Sequence, residues 1–99
     1  MVDIFVAELS ERAKKDLIGL PEHIISKLES WVAAIRRDGW REVKKIPGYH
    51  DEPLKGKRFG QRSIRLNRAY RAIYIKATKK MEKKEIEILE VEEVSKHEY

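Results

Sequence analysis

One stretch constrains the fold more than any other: Ile24, Ile25, Leu28, Trp31, Val32 and Ile35 recur at helical spacing between Pro21 and Gly39. Residues three and four apart share one side of a helix, so these side chains form an apolar stripe that must be covered. Pro21 suits the first turn of such a helix, where its missing N–H costs nothing, and Gly39 suits its end. Lys27, Glu29, Arg36 and Arg37 fall largely on the other side. Trp31 sits inside the stripe and is expected in the core, not on a surface that stacks on bases.

The rest of the chain supplies a sheet to cover that stripe. Asp3-Ile4-Phe5-Val6-Ala7 is short and β-prone and reads as a first strand. Ser10 before Glu11, Arg12 and Ala13 reads as a helix N-cap, and Ala13, Leu17 and Ile18 give a short helix that stops near Gly19. Residues 40–53 contain Pro47, Gly48, His50, the acidic pair Asp51 and Glu52, and Pro53, and read as a loop with at most a short turn. Three β-like runs follow, at 61–67, 70–77 and 84–94, with Asn67-Arg68-Ala69 as a tight hairpin turn and the charged residues 79–83 as a second. The expected fold is α+β, in the order β-α-α-β-β-β. Two helices pack on one face of a small, largely antiparallel twisted sheet, and the other face is left free. A chain of 99 residues is expected to form a single domain, 1–99.

Charge is distributed unevenly along this frame. From Lys55 to Lys80 there are ten Lys or Arg and no Asp or Glu, whereas Glu82 to Tyr99 holds seven Glu against three Lys. A cationic segment of that density attracts a polyanion. Strand alternation sharpens the point: Arg71 alternates with Tyr70 and Ala72, and Arg65 with Ile64 and Leu66, so one sheet face carries arginines. Neighbouring strands are only about 4.8 Å apart, so Arg65 and Arg71 sit together comfortably only with something anionic between them. Phosphate fits that description.

Several classes of chemistry are excluded. Cysteine is absent, which removes disulfides, thiol catalysis and cysteine-based zinc sites. His23, His50 and His97 lack zinc-type spacing, and His23 reads as a surface residue. No phosphate-binding glycine loop, dinucleotide fingerprint or nucleophile elbow occurs, so neither a metal nor a cofactor is expected. Charges throughout the first twenty residues exclude the apolar core of a signal peptide, and no run approaches membrane-spanning length. A cytoplasmic protein is the expectation.

The ordered segments Glu52-Pro53-Leu54-Lys55, then Gly60-Gln61-Arg62-Ser63-Ile64-Arg65-Leu66-Asn67, then Tyr70-Arg71-Ala72-Ile73-Tyr74 carry more information than any one of them alone. In this order the sequence resembles the RelE/ParE superfamily of bacterial toxins, especially its HigB-like and YoeB-like ribonuclease branches, over nearly the whole chain. The resemblance implies a toxin of a type II toxin-antitoxin system that cleaves mRNA on the ribosome and is restrained by a cognate antitoxin, as a monomer or within a toxin-antitoxin complex. It implies metal-independent chemistry, in which a base takes the proton of a ribose 2′-OH, the oxygen attacks the adjacent phosphate, and an acid protonates the departing 5′ oxygen. By the same resemblance Arg71 stabilises the phosphate, Glu52 is the base, and Lys55 and Arg65 assist. His97 and Tyr99 supply the acid, with the choice between them open. Lys57, Arg58, Arg62 and Arg68 are expected as general RNA or ribosome contacts.

Each role has a competitor. Glu52 before Pro53 also suits a turn cap, and Arg71 also suits an ion pair with a glutamate of the last strand. At the level of function, a ParE-like inhibitor of DNA gyrase and a noncatalytic RNA-binding module share the fold. Glu52, His97 and Tyr99 favour the nuclease, because neither alternative needs acid-base groups.

Overall fold

A computed structural model describes residues 2–96. His97 and Tyr99, expected to supply the general acid, lie outside the described residues. Strand β1 (Ile4–Leu9) leads into Ser10, whose hydroxyl oxygen accepts from the Ala13 N–H at 3.1 Å and caps helix α1 (Glu11–Asp16). The same hydroxyl donates to the Glu92 carbonyl at 3.0 Å, tying the cap to the last strand. Ile18, expected on the buried stripe, is 82% exposed, because α1 has already ended when the chain reaches it.

Helix α2 (Glu22–Asp38) buries Ile24, Leu28, Trp31, Ala34 and Ile35, as the periodicity predicts. Pro21 stands just outside, as its N-cap residue. Gly39 ends it with φ 84°, and a Cβ at Gly39 would approach the Phe5 ring to 2.6 Å. Both the left-handed backbone and the packing against β1 therefore require glycine. The following residues were expected as loop but form one further helical turn, α3 (Trp40–Val43). The Glu87 carboxylate accepts from the Trp40 N–H at 3.0 Å and thereby satisfies the start of that turn.

The remaining strands are β2 (Glu52–Pro53), β3 (Arg62–Arg65), β4 (Tyr70–Met81) and β5 (Lys84–Lys96). Their order in the sheet is β1-β5-β4-β3-β2. β1 runs parallel to β5 and every other pair is antiparallel. The α+β arrangement is the expected one, with β2 and α3 added. β2 escapes a sequence reading because it pairs only Glu52 with Ser63 and Pro53 with Arg62. As an edge strand it tolerates a residue without an N–H. Lys79 and Lys80, expected in a turn, are paired strand residues, and the turn is reduced to Glu82 and Lys83. That end of the hairpin is exposed, so no apolar alternation marks it as strand.

Ile64, Ala72, Tyr74, Leu89 and Val91 project from the sheet against Leu28, Trp31 and Ile35 of α2. Trp31 and Tyr74 have ring centroids 5.0 Å apart. Each large side chain buried here contributes about 1.5–3 kcal/mol of transfer free energy. No helix among the described residues is long and apolar enough to cross a membrane.

Candidate functional site

Strand periodicity sorts the β3–β4 hairpin onto two faces. Ile64 stands opposite Ala72 toward the helices, while Ser63 stands opposite Ile73, and Arg65 opposite Arg71, on the other face, which is not left free throughout as expected: Ile73 and Ser63 are buried there. β2 adds Glu52 beside Ser63, and β5 adds Ser95 beside Arg71. A cleft of about 60 Å³ opens there, lined by His50, Glu52, Ser63, Arg65, Asn67, Arg68, Tyr70 and Arg71. Of the residues expected at the site, Glu52, Arg65, Arg68 and Arg71 meet in this cleft.

Its electrostatics are unbalanced. Like charges directly opposite across two strands destabilise a sheet, and neither Arg65 nor Arg71 forms an ion pair among the described residues. Arg71 is half-buried, and its Nε is buried without a hydrogen-bond partner among those residues. A buried donor left in that condition costs about 1–3 kcal/mol, so the arrangement favours an incoming oxyanion. The competing partner for Arg71, a glutamate of the last strand, is engaged elsewhere. Glu93 lies 2.8 Å from an Arg58 guanidinium nitrogen and 3.6 Å from one of Arg12. Burial pushes its carboxyl pKa up, but the two guanidiniums, Arg58 foremost, bring it below the usual carboxylate range.

Local chemistry fixes the cleft from two sides. At the hairpin tip the Asn67 side-chain oxygen accepts from the N–H groups of Ala69 and Tyr70, both at 2.8 Å, and this turn sets Arg65 against Arg71. On the other side His50 takes a left-handed φ of 45°, and Asp51 plunges between His50 and Glu52 into the core. Its carboxylate is 1% exposed and accepts from Arg62 Nε at 2.7 Å and from the Tyr74 hydroxyl in a short hydrogen bond. That hydroxyl accepts in turn from Trp40 Nε1 at 2.8 Å. Burial, reinforced by Asp51, raises the Tyr74 phenol far above its ordinary range, so it remains protonated and donating. Asp51 is therefore an anchor that holds its two neighbours at the cleft.

The other expected contacts lie outside it. Arg62 has the same parity as Ile64, faces the helix side, and is matched by Asp51 with the Trp40 ring 5.4 Å away. Arg58 is matched by Glu93, and Lys55 and Lys57 are exposed on the loop between β2 and β3. His50 received no role from sequence alone. Its adjacency to Glu52 was the only hint, and the left-handed turn that brings it in has no sequence signal at a non-glycine residue. Among the described residues no group of three His, Asp or Glu side chains is placed to hold a metal ion.

No protein-family model matches this chain, and no curated protein does. Solved structures do match. YafQ from E. coli strain BL21(DE3) superposes with a TM-score of 0.66 at 18% identity, over 98% of this chain and 94% of that one. The YoeB/ParE toxin from Agrobacterium tumefaciens gives 0.64 at 19%, over 94% and 99%. The RelBE2 toxin-antitoxin complex from Mycobacterium tuberculosis gives 0.61 at 18%, over 96% and 100%. The fold is that of the RelE-like toxins. In this RelE-like frame the cleft lies on the sheet face opposite the helices, built from β2, β3, β4 and the hairpin tip.

Proposed function

We propose that this chain is the toxin of a type II toxin-antitoxin system and an endoribonuclease that cleaves mRNA. The observation that carries the reading is the direct opposition of Arg65 and Arg71 beside Glu52, with Arg71 Nε buried and unpartnered among the described residues. Such a cleft suits one ribose-phosphate linkage. Glu52 takes the 2′-OH proton, the O2′–P bond forms, and the P–O5′ bond breaks to leave a 2′,3′-cyclic phosphate and a 5′-hydroxyl. Arg71, assisted by Arg65, stabilises the additional negative charge on the phosphorane between these events. The proton for the 5′ oxygen is assigned to His97 or Tyr99, as the family resemblance implies. His50 places an imidazole at the cleft, the side-chain type most used for proton exchange near neutrality. No step calls for a metal or cofactor.

The partners proposed are ribosome-bound mRNA and an antitoxin with an acidic segment that covers the arginines. The RelBE2 and DinJ-YafQ structures, which are toxin-antitoxin complexes, support the antitoxin. Expression of wild type and Arg71→Ala, with mapping of RNA 5′ ends, tests the class. Cuts within translated codons that vanish in the variant are expected. Intact messages beside stalled DNA gyrase would transfer the chain to the gyrase inhibitors, and retained RNA binding without cleavage would make it a binding module.

A further inference from the structure

We infer that Phe59 is a base-stacking platform for the RNA strand whose phosphate the arginine cleft holds, an inference that rests on the nuclease reading. Phe59 is 88% exposed, the highest value among the exposed large hydrophobic residues described. A mobile loop would make that unremarkable, but this loop is braced. The Leu54 N–H donates to the Gln61 carbonyl at 2.9 Å and closes its neck, and inside it the Phe59 N–H donates to Gly56 at 3.1 Å and the Gln61 N–H to Arg58 at 3.0 Å. Gly56 and Gly60 flank the ring with φ of 66° and 99°, a path that residues with a Cβ seldom follow. The preceding Arg58 is pinned to Glu93 at 2.8 Å. The ring is thus presented to solvent by a scaffold that four hydrogen-bonded or ionic ties define.

The surroundings select the ligand. Lys55 and Lys57 are exposed beside Phe59, and residues 54–61 contain no acid. An aromatic ring beside two exposed lysines that form no ion pair among the described residues matches a nucleobase and its flanking phosphates, and suits a single strand whose bases are free to stack. Position agrees. Glu93, which holds Arg58, lies in one cross-strand row with Ile73, Ser63 and Glu52. The loop runs on directly from Glu52 and Pro53 and back into Ser63, and its Arg58 is tied to Glu93, two strand spacings or roughly 10 Å from Ser63, so it is anchored on the cleft's side of the sheet within a few nucleotides of one strand.

Binding of a 2′-O-methyl oligoribonucleotide, which has no 2′-OH to attack, isolates this contact from cleavage. Phe59→Ala is expected to raise Kd about 5- to 150-fold, the range for losing one stacked base. Phe59→Leu should lose a similar factor, while Phe59→Trp should bind as wild type with its fluorescence quenched. In cleavage assays the Ala variant should shift KM by a comparable factor, more than kcat. Wild-type affinity in the Ala or Leu variant overturns the inference. So does a loss confined to a protein inhibitor, which would make Phe59 part of a protein interface. Failure of the nuclease reading is read separately, from absent cleavage by wild type on unmodified RNA.

Discussion

Arg62 and Arg71 stand on neighbouring strands of one hairpin and have opposite circumstances. Arg62 points to the helix side, where Asp51 receives it at 2.7 Å and Tyr74 and Trp40 complete the network. Arg71 points to the side away from the helices, opposite another arginine, with a buried nitrogen that no described residue accepts. A charged side chain matched inside the protein makes its partner costly to remove, and one left unmatched is available to a ligand. The pair shows that charge density along a sequence does not identify binding residues. Parity and the location of the acids do.

The contrast breaks most sharply at Asp51. Asp51→Ala leaves Arg62 and the Tyr74 hydroxyl without their acceptor, and should lower unfolding free energy by roughly 3–5 kcal/mol, read as a drop in the urea midpoint. Arg71→Ala should behave oppositely. Cleavage should fall by about 10²–10³, or 2.7–4 kcal/mol in barrier, while stability holds or rises, by up to about 1–3 kcal/mol, as the unpartnered donor and the like-charge opposition are removed. If the Arg71 variant unfolds early and still cleaves, the two arginines belong to one class and the comparison collapses.

Smaller effects sharpen it. Tyr74→Phe should cost about 1–2 kcal/mol at neutral pH. The Tyr74 phenol is raised in the folded state, so its contribution is complete below the unfolded value of about 10 and is lost as pH rises beyond it. Wild type should therefore lose more stability than the Phe variant in alkaline denaturation. Glu93 has the reverse sign. Its folded carboxyl lies below the ordinary range, so the stabilisation is present above about pH 4.3 and disappears as pH falls through the lowered value. Glu93→Gln should remove about 0.5–1 kcal/mol at neutral pH and flatten the acid limb of urea midpoints measured from pH 3 to 6.

Most of the fold was legible because its signals are periodic. The α2 stripe and the alternation in β3 and β4 give the face toward the helices and the face away from them directly, and they also place Arg65 beside Arg71. The same alternation groups Arg62 with Ile64, so its separation from the site was available in principle. What was not legible depends on long-range partners. α3 depends on Glu87 meeting Trp40, β2 on a two-residue pairing, and the strand character of Lys79 and Lys80 on β5 lying alongside. His50 reaches the cleft only because Asp51, a loop residue in sequence, has its acceptors buried against Tyr74 and Arg62.

The parallel pairing of β1 with β5 has a consequence for synthesis. The opening strand finds its neighbour only after residues from Ile86 onward have left the ribosome, so the sheet closes late and across almost the full contour of the chain. Until then the strand that bears Ser95 and clamps the Phe59 loop through Glu93 does not exist. A nascent or prematurely terminated copy thus lacks both the closed sheet and the brace on that loop, and only the finished chain can assemble them.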